Sequence, residues 1–218
     1  MMTNTEFTFV RHGETVLNIS GRLQGQGDSP LNANGLAQAD ATAEYLRSVP
    51  FDVICSSDLM RAAETARRIR DCGHEGTPLH LTRELREMNC GELDETPWIE
   101  LRDHHPELMA VFYRDTAGVR FPGGESVEEF QSRVSGFLEK ILEAHRGKRI
   151  LLVGHGGVLQ RVFRHITGPV SAGNLLPLAG NASVSEFLYN ETHRAWQLTL
   201  WNFREHLKTL PQHDTLTL

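Results

Sequence analysis

The chain has 218 residues, 39% hydrophobic and 23% charged, with a mean hydropathy of −0.34; this is enough apolar surface for one sizeable core and too much for a disordered chain. A formal net charge of −6 argues against phosphate-backbone binding as the main role, because nucleic-acid binders gather Lys and Arg on one face. No window approaches membrane-spanning length, and "MMTNTEFTFVRHG" lacks the basic segment and long apolar run of a secretory leader, so a cytoplasmic protein with no membrane or nucleic-acid partner is expected.

Phe7 to Val10 crowds aromatic and β-branched residues into a short run that stops on Arg11 and His12, the pattern of a buried strand. "LNANGLAQADATAEYLRSV" then sets Leu36, Ala39, Ala43 and Leu46 at helical spacing before Pro50 breaks the run. "FDVICSS" reads as a second strand and "DLMRAAETARRIRDCG" as a helix ending near Gly73. Such alternation predicts an α/β fold: three layers, α/β/α, around a mostly parallel central sheet whose inner strands are apolar throughout.

From Gly91 to Gly124 the pattern is less regular. "TPWIELRDHHPELMAVFYRD" reads as a helical insertion and "FPGG" as a turn, so residues 92–124 are expected to form a small, partly helical lid within a single domain spanning 1–218. Trp98, Phe112, Tyr113 and Phe121 there have two readings, an apolar rim to a pocket or core packing. "ESVEEFQSRVSGFLEKILEAHRG" is the clearest helix, with Ser126 and Glu129 as a capping box and an apolar stripe of Phe130, Val134, Phe137 and Ile141. Ile150 to Val153 is a fully apolar, hence central, strand, followed by a helix in "VLQRVFRHITG". "ASVSEFLYN" and "AWQLTLWNF" close the chain as strands around the turn "ETHR"; the second offers an edge that could pair in a homodimer, and the tail after Leu210 is expected to fray.

Cys55, Cys72 and Cys90 are odd in number and far apart, which suits a reducing compartment and fits neither a disulfide framework nor a zinc knuckle. Cys55 reads as a buried small hydrophobe. His104 and His105 are adjacent, without a carboxylate–histidine constellation of zinc-type spacing, so no metal is expected.

"FVRHG" and "LVGHG" share one design: an apolar strand ending in histidine and glycine. In an open parallel sheet, ligands bind beyond the carboxyl ends of the strands. If the two strands are neighbours, His12 and His155 face one pocket, and their glycines let backbone amides approach an anion. Arg61 falls early in a helix after another strand, where the helix terminus itself favours anions. Arg11, Arg61, His12 and His155 at one end of one sheet would suit a multiply charged anion such as phosphate.

"RHGET" with Asn18, "SSDLMRAAETA", Glu87 in "LREMNCGE", "PGGES" and "VGHGG" together resemble the histidine phosphatase superfamily, also called the phosphoglycerate mutase-like family. The resemblance covers Phe7 to about Gly157 and continues more weakly to "WNFREHL". It implies that His12 is a nucleophile that becomes a transient phosphohistidine. Arg11, Arg61 and His155 would cage the phosphoryl oxygens, aided by Asn18 and the Gly156 amide, and Glu87 would be the proton donor. Gln24 and Gly25 fall where relatives contact substrate.

The same resemblance frames the reaction. Transfer to water makes a phosphatase of small phosphorylated metabolites, with no cofactor; transfer to a second hydroxyl acid makes a phosphoglycerate mutase that depends on 2,3-bisphosphoglycerate. Dedicated mutases of the family carry a longer middle insertion with paired basic residues, whereas Arg102, Arg114 and Arg120 stand apart here, which favours the phosphatase. "GRLQGQGDSPL" and "LREMNCG" nonetheless look close to short bacterial relatives labelled probable mutases. An inactive phospho-ligand binder would have lost one of His12, Arg11, Arg61, Glu87 or His155, and all five are present.

Overall fold

The structure is a computed structural model describing residues 4–113, 118–168 and 177–213, with the side chains of 110–113 outside that description. In chain order the elements are β1 (Thr5–Arg11), α1 (Val16–Ile19), α2 (Ala33–Leu46), β2 (Val53–Ser57), α3 (Met60–Asp71), β3 (Leu79–Thr82), α4 (Trp98–His104), α5 (Pro106–Tyr113), α6 (Val127–Ala144), β4 (Arg149–Gly154), α7 (Gly156–Thr167), β5 (Val184–Asn190) and β6 (Ala195–Phe203). The strands form one sheet in the order β3-β2-β4-β1-β5-β6. The pairs β3–β2, β2–β4 and β4–β1 are parallel, and β1–β5 and β5–β6 are antiparallel.

Successive side chains of a strand point to opposite faces, and the inner strands are apolar on both. Phe7 and Phe9 of β1, Val53 and Cys55 of β2, and Ile150 and Leu152 of β4 enter one core, with Phe130, Val134 and Leu138 of α6 and Val158, Leu159 and Val162 of α7. Val10, Ile54, Leu151 and Val153 enter the other, with Ala43 and Leu46 of α2 and Ala62, Ala66 and Ile69 of α3. The result is the expected three-layer arrangement. Each fully buried large apolar side chain contributes about 1.5–3 kcal/mol against exposure, so an inner strand with such residues on both faces is fixed in place.

The α6 capping box forms as expected: Glu129 N–H donates to Ser126 Oγ, and Ser126 N–H to Glu129 Oε2. Residues 92–124 are largely helical where described, and Leu101, Leu108, Met109 and Phe121 join the main core, with Trp98 packed against it. Of the four aromatic residues with two readings, Phe121 and Trp98 therefore resolve to packing; the Phe112 and Tyr113 side chains lie outside the described residues.

Two elements escape the sequence pattern. β3 is four residues long and half exposed at the sheet edge, too short for a period to show. α1 is one turn, made by a Thr15–Asn18 capping box rather than by an apolar stripe. The expectation of a frayed tail is corrected as far as His213. Glu14 is 1% exposed, and a buried carboxylate needs donors; Asn32 Nδ2, Asn34 Nδ2 and His213 Nδ1 supply them. Asn34 Nδ2 also donates to the Pro211 carbonyl, and Gln212 Nε2 to that of Leu207. Among the described residues no helix is long and apolar enough to cross a membrane.

Candidate active site

Parallel pairing of β1 with β4 sets Arg11 opposite Gly154, so the residues that follow, His12 and His155, leave the sheet side by side. Their rings lie 5.1 Å apart, centroid to centroid, tilted by 59°. Both are buried, at 3% and 0% exposure.

Each imidazole has one nitrogen committed. His12 Nδ1 donates to the Gly13 carbonyl at 2.7 Å, so the neutral ring carries its lone pair on Nε2. His155 Nε2 meets Ser57 Oγ at 2.9 Å. Ser57 Oγ also accepts from Leu59 N–H; with the Ser57 proton given to His155 Nε2, the ring proton lies on Nδ1, a buried nitrogen with no protein partner. Burial first, then Arg61 and neighbouring cationic groups, hold both rings well below the usual histidine pKa, so both are neutral at pH 7.

Arg11 and Arg61 bring the charge. Arg61, on the first turn of α3, is fully buried. Its Nη1 and Nη2 donate to the carbonyls of Gly27 and Gly25 at 2.7 and 2.8 Å. Arg11 Nη1 donates to the Ala179 carbonyl at 2.5 Å. Desolvation, only partly offset by Glu87, pulls each guanidinium down to a pKa of about 10. Arg11 Nε and Arg61 Nε, like His155 Nδ1, are buried donors without a protein partner. Three such donors beside a lone pair on His12 can receive a tetrahedral oxyanion and attack its central atom.

The remaining expected residues surround this centre. Asn18 Oδ1 accepts from Thr15 N–H and Asn181 Nδ2, which commits its oxygen within the protein. Gln24 Oε1 accepts from Thr15 Oγ at 3.0 Å. Gly25, at φ +49°, supplies a carbonyl to Arg61 and leaves no room for a Cβ, which would lie 1.7 Å from Asp94 Oδ1. Gly156 opens α7 with its α-carbon against Arg11; a Cβ there would sit 3.5 Å from Arg11 Nε. Glu87 Oε2 accepts from Gly157 N–H and Oε1 from Met88 N–H, both at 2.9 Å, which fixes the carboxylate at the positive end of α7.

Sequence reasoning missed the supports. Ser57 orients His155; it stands inside the quoted "SSDLMRAAETA", and a hydroxyl ending a buried strand was the available signal. Asn181 Nδ2 and Ala182 N–H both donate to the His12 carbonyl, and Ser183 O accepts Arg11 N–H. No local pattern marks that loop. Among the described residues no cluster of three or more His, Cys, Asp or Glu could hold a metal, and His104 and His105 belong to none.

The depressed histidines make stability pH-dependent. Between their folded values and 6.5 the unfolded chain binds more protons than the folded one, so stability is complete above about pH 6.5 and is lost as pH falls below it. His165 and His206, also lowered by burial, act in the same direction, whereas Asp94, raised by burial to about 6, opposes them. Glu186, raised by burial and by Glu6, opposes them too, at lower pH; four histidines outweigh two carboxyls, and melting curves should show Tm falling steadily from pH 7 to pH 5. A flat or rising Tm would contradict this account.

A sheet of this topology with a neutral imidazole set among buried cationic donors at its carboxyl end defines an enzyme of phosphoryl transfer. The family profile described as "Histidine phosphatase superfamily (branch 1)" matches residues 7–204, and the chain belongs to that family. It is 37% identical over 208 residues to a metal-independent phosphoserine phosphatase of Arabidopsis thaliana, covering 94% of this chain and 84% of that one. A probable phosphoglycerate mutase GpmB of Yersinia pestis is 36% identical over 193 residues, covering 88% and 87%. Among solved structures, a mycobacterial glucosyl-3-phosphoglycerate phosphatase superposes with a TM-score of 0.78 at 26% identity, covering 91% of this chain and 99% of that one.

Proposed function

We propose that the protein hydrolyses phosphoric monoesters of small metabolites through a phosphohistidine on His12, without a metal or other cofactor. The observation that carries this reading is the set of three buried unpartnered donors, on Arg11, Arg61 and His155, around a neutral His12. His12 Nε2 attacks phosphorus, and the P–O bond to the leaving group breaks. Its electron pair stays on the ester oxygen, which takes a proton from Glu87. Glu87, now a carboxylate, removes a proton from water as the water oxygen attacks phosphorus. The P–N bond breaks, and its pair returns to Nε2. The arginines and His155 stabilise charge spread over the phosphoryl oxygens, where catalysis of this transfer chiefly lies; Asn18, Gln24, Gly25 and Gly156 complete the substrate's surroundings.

Hydrolysis, rather than transfer to a second substrate, is supported by the name of the 37% identical relative and by the lack of paired basic residues between Gly91 and Gly124. The name of the GpmB relative favours the second reading, a mutase dependent on 2,3-bisphosphoglycerate. Release of inorganic phosphate from p-nitrophenyl phosphate and from a metabolite panel, in excess EDTA, is the test. Turnover should persist undiminished; none, or turnover lost on chelation, rejects the metal-free hydrolase. Interconversion of 3- and 2-phosphoglycerate outrunning hydrolysis when bisphosphoglycerate is present would establish the mutase instead.

A further inference from the structure

The "PGGES" motif lends no atom to the phosphate cage, yet its Glu125 enters the most heavily bonded ion pair of the molecule's described part. Arg133, on the second turn of α6, donates Nε to Glu125 Oε1 at 2.7 Å and Nη2 to Glu125 Oε2 at 2.8 Å. The rest of the guanidinium grips one short turn. Nη1 donates to the carbonyls of Glu84 and Arg86, both at 2.9 Å, and of Arg83 at 3.4 Å, while Nη2 reaches that of Glu87 at 3.2 Å. Glu125 closes the grip from the other side: its Oε2 accepts Asn89 N–H at 2.9 Å, and its N–H donates to the Asn89 carbonyl at 2.8 Å.

Every backbone group so held lies within four residues of Glu87. Arg83–Leu85 is a single 3-10 turn, and four carbonyls converging on one point repel each other unless a cation satisfies them together. A planar guanidinium with its donors in a rigid fork can do so while pairing a carboxylate; an ammonium cannot. The pair is mostly buried, with the two side chains 19% and 18% exposed, and Phe130 underlies it with its ring centroid 5.0 Å from the guanidinium carbon. The Glu87 carboxylate leaves this clamped backbone on its way to Gly157 N–H. Gln26 Nε2 adds one further bond to the Glu87 carbonyl.

We propose that Arg133, braced by Glu125, is the positioning residue for the Glu87 proton donor. The inference rests on the reading of Glu87 as the acid. Loosening the clamp lets the carboxyl drift from the leaving oxygen while Arg11, Arg61 and His155 keep their own anchors, so the defect takes the form of a lost proton donor rather than lost phosphate binding.

The experiment compares kcat/KM for a simple alkyl phosphate, whose alkoxide leaves only when protonated, with that for 2,4-dinitrophenyl phosphate, whose phenolate needs no proton. kcat/KM ends at the first irreversible step and so omits hydrolysis of the phosphoenzyme. Arg133→Met is expected to slow the alkyl ester by about 10–100-fold and the dinitrophenyl ester by less than about threefold, and to add nothing to Glu87→Gln in the double variant. Equal slowing of both esters, or effects that multiply in the double variant, overturns the proposal. Glu87→Gln alone separates the two failures: if it too slows both esters equally, the acid reading falls and takes the clamp with it. Should Arg133→Met not fold, Glu125→Gln is judged on the same pair of esters by the same criteria.

Discussion

Replacing His12 by alanine is expected to lower kcat/KM by about 10⁴-fold or more and to abolish covalent labelling. In the proposed mechanism the imidazole takes the phosphoryl, and among the groups facing it the guanidiniums of Arg11 and Arg61 offer donors only, without a lone pair to attack phosphorus. His155 does not substitute for it, since its Nε2 is tied to Ser57 and its Nδ1, protonated when Ser57 donates to Nε2, offers a hydrogen rather than a lone pair. The fold should tolerate the change, because His12 contributes one side-chain bond, to the adjacent Gly13 carbonyl, and is itself disfavoured in its charged form by burial and then by Arg61 and Arg11. Brief reaction with labelled substrate, quenched in alkali where a P–N bond survives, should trap phosphate on the parent chain and not on the variant. Undiminished label in His12→Ala would move the nucleophile elsewhere.

Arg61→Met is expected to cost about 10³-fold or more in kcat/KM while leaving Tm within a few degrees of the parent. The two effects separate because the guanidinium serves the bound anion at the expense of the empty fold. Burial lowers its pKa to about 10 from the usual 12.5, which corresponds to roughly 3 kcal/mol disfavouring the charged form. Removing it relieves that cost but leaves the Gly25 and Gly27 carbonyls without their donor, at about 1–3 kcal/mol each. Methionine restores most of the volume, so the folding terms nearly cancel. Nothing replaces the charge in the transition state. Steady-state kinetics beside thermal melts decide the matter: activity within tenfold of the parent removes Arg61 from the cage, and collapse of Tm makes its role structural.

How much of this was legible in the sequence follows from how local each signal is. Strands β1, β2 and β4 could be read because burial on both faces crowds apolar and β-branched residues into short runs, and α6 because it begins with a capping box and carries an apolar stripe from Phe130 to Ile141. His12, His155 and Arg61 could be placed at one end of the sheet because each ends or follows a readable strand, and parallel pairing aligns those ends. The resemblance then supplied roles that spacing alone left open. Ser57 was legible only as a hydroxyl ending a buried strand, and Asn181, Arg133 and the hold of His213 on Glu14 not at all, since each acts across 98 to 199 residues of chain through a hydrogen bond that leaves no periodic trace or, for Arg133, through carbonyls that carry no side-chain identity.

The position of β1 between β4 and β5 has a consequence for the order of events during synthesis. As the chain is synthesised, β1 finds its parallel neighbour only when Arg149–Gly154 has emerged and its antiparallel neighbour only after Val184–Asn190. Arg11 and His12 also wait for Ala179, Asn181 and Ala182 to fix their guanidinium and carbonyl. At 5–20 residues per second, that is a delay of about ten to forty seconds before β1, with its Phe7, Phe9 and Val10, has both neighbours in the sheet. Long-range closure of this kind makes folding slow, and it keeps an incomplete chain from handling phosphate esters at all.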